Sequence, residues 1–156
     1  MEINIPRGEK FEIKHIVSDY NGTIALDGKL VEGVAELINE LSKDIKFHVI
    51  TADSFGSVEK ELGGINCEVF KIGPGDQDKA KAEYVKKLGS DNVVALGNGK
   101  NDFLMLGEAV LGIGILYHEG ICTKTLLASK IVCSNPIDAL EYFKNPKRLI
   151  ATLRRE

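Results

Sequence analysis

The sequence predicts an α/β fold with three layers, a doubly wound and mostly parallel sheet between two layers of helix. Three observations carry that prediction. Short apolar runs of strand length alternate along the chain with segments whose apolar residues recur at helical spacing, the pattern of a parallel sheet covered on both faces. Three of these runs end in polar or glycine-containing loops, at Asp19, at Thr51 and at Gly97–Asp102. The 156 residues contain no internal repeat, low-complexity tract or linker, so a single domain, 1–156, is expected to bury its own core.

In chain order, residues 2–5 and 10–13 are expected as two short strands joined at Pro6-Arg7-Gly8. Ile13, Ile16 and Val17 lead into Ser18-Asp19-Tyr20-Asn21-Gly22-Thr23, a buried strand delivering a carboxylate to the loop at its end. Asp27-Gly28 sits between Ile24-Ala25-Leu26 and Leu30-Val31, a two-residue hairpin signal that predicts a small β flap. Val34, Leu37, Ile38 and Leu41 place a helix over 32–43. The strand at 47–50 runs into Thr51-Ala52-Asp53-Ser54, where Asp53 or Ser54 is expected to cap a helix over about 55–62. A third strand falls within 65–72. A lysine-rich helix follows over 76–88, with Ala80, Tyr84, Val85 and Leu88 expected on its inner side. Val93–Leu96 is the fourth strand, and a helix through Leu104, Met105 and Leu106 follows its glycine-rich loop. Residues 110–116 and 131–133 supply the fifth and sixth strands around a short helix at 121–129. Asn135-Pro136 opens a helix with Pro in its first turn, and 146–156 is read as a final helix with a solvated basic face.

Composition narrows the function classes. A net charge of -3 argues against nonspecific nucleic-acid binding, which needs a basic excess. No apolar stretch reaches the roughly 20 residues of a membrane helix. The first ten residues lack the basic-then-apolar layout of a secretory leader. Cys67, Cys122 and Cys133 are odd in number and widely spaced, which reads as reduced thiols without a disulfide frame or a zinc site. A cytoplasmic location is the expectation. His15 and His48 lie within strand patterns and are expected to be structural.

In a parallel sheet the loops after Asp19, Thr51 and Gly97 share one edge, and the lysine helix begins there too. A carboxylate, a hydroxyl, a lysine and a Gly-rich loop on one edge suit a phosphoryl group. In order, Asp19-Tyr20-Asn21-Gly22-Thr23, Thr51, Lys81 and Gly97-Asn98-Gly99-Lys100-Asn101-Asp102 resemble the four motifs of the haloacid dehalogenase (HAD) superfamily. Within it the chain looks most similar to the soluble phosphatases that resemble P-type ATPases, whose fourth motif is Gly-Asp-Gly-x-Asn-Asp. The resemblance covers about residues 12–140. It implies that Asp19 is the nucleophile and that Thr51 and Lys81 serve catalysis. Gly22, Thr51, Ala52, Lys81 and Asn101 would bind the phosphoryl group. Asp19, the carbonyl of Asn21, Asn98 and Asp102 would hold Mg2+. Lys81 is preferred to Lys79 because Val85 and Leu88 follow it at plus four and plus seven.

Two departures bear on activity. Asn21 stands where the family usually carries an acid–base Asp, and an amide neither protonates a leaving group nor activates water. Asn98 replaces the first Asp of the fourth motif, removing charge that a hard cation prefers. The resemblance therefore implies a slow phosphatase, with a weak or inactive phospho-ligand-binding domain as the alternative. Only 32 residues separate Asp19 from Thr51 and 30 separate Thr51 from Lys81, which leaves no room for the family's cap domains. The expected substrate is a phosphorylated small molecule or macromolecule, with a neighbouring copy of the chain as a candidate lid.

Overall fold

The computed structural model describes residues 1–52 and 57–155. The chain opens with a hairpin, β1 (Glu2–Asn4) and β2 (Lys10–Glu12), before β3 (His15–Asp19). The flap follows as β4 (Ala25–Leu26) and β5 (Lys29–Leu30), then α1 (Val34–Leu41) and β6 (Lys46–Thr51). Next come α2 (Ser57–Glu61), β7 (Glu68–Lys71), α3 (Gln77–Leu88) and β8 (Val93–Gly97). A 3-10 turn over Lys100–Asp102 leads into α4 (Phe103–Glu108), β9 (Leu111–Ile115), α5 (Thr123–Ala128) and β10 (Ile131–Cys133). The chain closes with α6 (Pro136–Glu141) and α7 (Pro146–Leu153). Asp53 and Ser54, expected to cap the second helix, lie outside the described residues.

The central sheet has the order β10-β9-β8-β3-β6-β7, and every neighbouring pair in it is parallel. The chain winds outward from β3 through β6 to β7, returns to place β8 on the other side of β3, and winds outward again. The strand order thus reverses between β3 and β8, the point at which open α/β sheets hold ligands beyond the carboxyl ends of their strands.

Alternation along the strands divides the core. Ile16, Phe47, Val49, Val94 and Leu96 face one layer, where α1 and α6 bury Val34, Leu37, Ile38, Ala139 and Leu140. Val17, Ile50, Val93 and Ala95 face the other, against Val85 of α3 and Met105 and Leu106 of α4. Helices cover both faces, as expected. The flap turn also follows the sequence reading, with positive φ at Asp27 (52°) and Gly28 (84°), the backbone a two-residue hairpin demands.

The inner face of α3 differs from the expected one. Lys81, Ala82 and Val85 are its buried residues, whereas Ala80, Tyr84 and Leu88 are half-buried. Apolar periodicity misses this because the side chain that turns furthest inward is a lysine. Asn135 caps α6 as expected, its side chain accepting the Asp138 N–H at 2.9 Å. Cys67, Cys122 and Cys133 are free thiols. Among the described residues no helix is long and apolar enough to cross a membrane.

Candidate active site

Asp19 closes β3 on the side of the sheet that α3 covers, two residues beyond Val17. Lys81 reaches it from α3, with Nζ 2.9 Å from Asp19 Oδ1 and 2.7 Å from Asp102 Oδ1. The lysine side chain is 1% exposed, Asp102 0% and Asp19 15%. A buried ammonium survives here because two carboxylates and hydrogen bonds replace its water. Burial alone would pull the Lys81 pKa down, but Asp19 and Asp102 outweigh it and hold the ammonium above its ordinary value. Burial, reinforced by the Asp102 charge, pushes the Asp19 carboxyl well above the usual carboxylate range, while Lys81 and Thr23 pull against that rise. Lys79, the alternative lysine, is exposed and 3.5 Å from Asp76.

Asp102 lies underneath. Its Oδ2 accepts the N–H groups of Asn98 and Gly99 at 3.0 and 2.9 Å. Gly97 makes this approach feasible, since a Cβ there would come within 2.6 Å of the Asp102 carboxyl carbon. With one oxygen on Lys81 and the other on the loop, Asp102 holds the site together from below and is absent from the cavity lining. That placement differs from the role of metal ligand implied by the resemblance.

Above it, the Thr23 hydroxyl stands 3.1 Å from Asp19 Oδ2 and 3.0 Å from Asn98 Oδ1. Thr23, which sequence reasoning passed over, is fully buried and ties the first loop to the fourth. Asn21 faces elsewhere: its Oδ1 accepts the Gly28 N–H at 2.9 Å and so fastens the flap turn. Tyr20 donates its hydroxyl to the Gly28 carbonyl at 2.9 Å. Gly22, expected among the phosphate-binding residues, donates its N–H to the Ala25 carbonyl at 2.7 Å. The contribution of Gly22 is conformation and space, with φ at 83° and no side chain.

Asp19, Asn21, Thr51, Ala52, Lys81, Asn98 and Asn101 line one cavity of about 580 Å³ beyond the strand ends. Asn101 accepts from Lys81 at 3.5 Å and donates to Gln77 at 3.2 Å. Asp27 and Gly28 of the flap form part of the wall. Glu119, in the loop after β9, also lines it. No motif marks Glu119, and the only sequence signal is its place beyond the end of a strand on the same sheet edge. His118 beside it is exposed.

No protein-family model matches the chain. It is 40% identical over 84 residues to an uncharacterised protein of Methanocaldococcus jannaschii, a match spanning 51% of this chain and 90% of that one. The chain and that archaeal protein belong to one family. Among solved structures, 3-deoxy-D-manno-octulosonate 8-phosphate phosphatase from Moraxella catarrhalis superposes with a TM-score of 0.71. It is 19% identical, over 92% of this chain and 94% of the other, and its structure holds magnesium, phosphate and KDO. A Streptomyces avermitilis protein assigned to the HAD hydrolase family gives a TM-score of 0.69 at 15% identity, covering 85% and 84%. The fold is that of the HAD hydrolases.

The HAD fold implies a divalent cation, and the residues present suit one. Asp19 offers a carboxylate, Asn21 a main-chain carbonyl and Asn98 a side-chain carbonyl, all hard oxygen donors. Among the described residues no three His, Cys, Asp or Glu side chains converge.

Proposed function

We propose that the chain is a slow phosphatase of HAD type, transferring a phosphoryl group from a monoester to Asp19 and then to water. The observation that supports this best is the buried Asp19–Lys81–Asp102 cluster at the point where strand order reverses, with Asp19 and Lys81 open to a polar cavity. A carboxylate oxygen of Asp19 attacks phosphorus, the P–O bond to the leaving group breaks, and its electron pair departs with the leaving oxygen. Water then attacks phosphorus and releases the Asp19 carboxylate with inorganic phosphate. Lys81 offsets the phosphoryl charge, and Thr51, Ala52 and Asn101 stand around it. A Mg2+ ion held by Asp19, the Asn21 carbonyl and Asn98 would offset the remaining charge of a phosphate dianion.

Acid–base help from position 21 is missing. Such help is typically worth about 10²–10⁴-fold, so the acyl phosphate is expected to persist. The substrate is a phosphorylated small molecule or macromolecule, admitted through an opening that the flap borders; a second copy of the chain is a candidate lid. The amide of Asn21, engaged with the flap, also favours a second reading, a phospho-ligand-binding domain without turnover.

Intact mass after incubation with acetyl phosphate and Mg2+, beside Asp19→Asn, separates the two. A gain of one phosphoryl group, absent from the variant and shorter-lived in Asn21→Asp, is expected. Neither adduct nor phosphate release would leave the binding domain.

A further inference from the structure

Position 98 lacks the carboxylate that the fourth motif of the HAD fold carries, yet a carboxylate stands beside it. Glu119 comes from the loop between β9 and α5, and two bonds tie that loop to Asn98. The Asn98 side-chain Nδ2 donates to the Gly120 carbonyl at 3.2 Å, and Cys122 N–H donates to the Asn98 carbonyl at 2.9 Å. Between them the chain turns tightly, Gly120 N–H meeting the Tyr117 carbonyl at 3.0 Å and Gly120 adopting φ 81°. Glu119 occupies the third position of that turn.

Gly22 locates the carboxylate. A Cβ on Gly22 would lie 2.6 Å from Asn98 Nδ2 and 2.8 Å from Glu119 Oε2. The amide and the carboxylate therefore flank one small space over the first loop, and both face the cavity that Asp19 and Asn21 line. An Asp at position 98 would turn a carboxylate oxygen toward the Gly120 carbonyl, whereas the amide of Asn98 donates to it. The amide thus anchors the very loop that brings a carboxylate back. Charge points the same way. With a cation holding Asp19 ionised, Asp19, Asp102 and Lys81 together carry one net negative charge, and Glu119 adds a second.

We propose that Glu119 supplies the carboxylate that Asn98 does not, completing an oxygen site for a divalent cation with Asp19 and the Asn21 carbonyl. This rests on the phosphatase reading only in taking its cation site to lie between the first and fourth loops. Glu119 is then a charged ligand displaced by some twenty residues from the motif that normally provides one.

The test is Mn2+ binding to the whole protein, followed by the loss of the free-ion electron paramagnetic resonance signal and independent of turnover. Glu119→Gln keeps size and polarity, and is expected to weaken Mn2+ binding by about 10-fold or more. Asp27→Asn, at the third carboxylate of the cavity lining, is expected to change it by less than about 2-fold, because an Asn-Gly turn is equally good there. Adding Asn98→Asp to Glu119→Gln is expected to restore binding. Unchanged affinity in Glu119→Gln, an equal loss in Asp27→Asn, or a double variant no tighter than Glu119→Gln would each overturn the assignment. A parent protein that binds no Mn2+ would overturn it together with the cation site itself. Circular dichroism of each variant without metal separates these outcomes from misfolding.

Discussion

Lys81 is the residue on which the site turns, because among the described residues it alone brings positive charge between Asp19 and Asp102. Replacing it by Met removes the partner of two buried carboxylates while filling the same volume. Breaking a buried pair in this way typically costs about 3–5 kcal/mol. Urea unfolding at pH 7 is expected to show a loss in that range for Lys81→Met; a loss below about 1 kcal/mol would mean that the cluster is solvated. The same residue shows what a sequence can and cannot reveal. Its place in the motif order was legible, as were Asp19, Thr51 and the Gly97–Asp102 loop. Its inward direction was not, since its partners lie 62 and 21 residues away and leave no local trace. Asp102 was legible as a site residue, but its downward orientation depends on Gly97 having no side chain. Glu119 and Thr23 were missed because one lies outside any motif and the other reads as an ordinary loop hydroxyl.

The flap was the element easiest to read, since Asp27-Gly28 between apolar pairs fixes its turn. Its attachment was invisible beforehand: Tyr20 and Asn21, in the loop that follows Asp19, both bind Gly28. A Cβ on Gly28 would meet nothing within 4 Å, so Gly28→Ala tests backbone conformation alone. Left-handed backbone costs an ordinary residue about 1–2 kcal/mol. With the strain confined to the hairpin, the expected result is a flap open roughly 10-fold more often and a faster exchange of the flap amide hydrogens. The strands of the main sheet are expected to keep their protection.

At the scale of the whole molecule, stability depends on pH through the far end of the sheet. His15 Nδ1 lies 3.0 Å from His48 Nε2, and His48 Nδ1 lies 2.7 Å from the Tyr84 hydroxyl. Burial, together with the neighbouring His15, lowers the His48 pKa from 6.5 to about 4. Burial and Lys46 likewise lower that of His15. Between pH 6.5 and 4 these two histidines therefore bind more protons in the unfolded chain than in the folded one, and their contribution to stability falls with falling pH. The contribution is complete above pH 6.5 and lost toward pH 4. Urea midpoints at pH 7 and pH 5 are expected to differ less in His48→Gln than in the parent protein. Sequence periodicity located these histidines in strands, and the placement of β3 beside β6 is what brings them together.

That placement has a consequence for how the chain is made. β3 is the earliest strand of the sheet to leave the ribosome, and it ends up in the middle. β6 covers one of its edges soon afterwards, but β8 covers the other only after about 75 further residues, some 4–15 s at ordinary rates of synthesis. Through that interval an apolar strand with an open edge, and the Asp19 carboxylate without its lysine partner, wait on a nascent chain, exposed to chaperones and to neighbouring polypeptides alike.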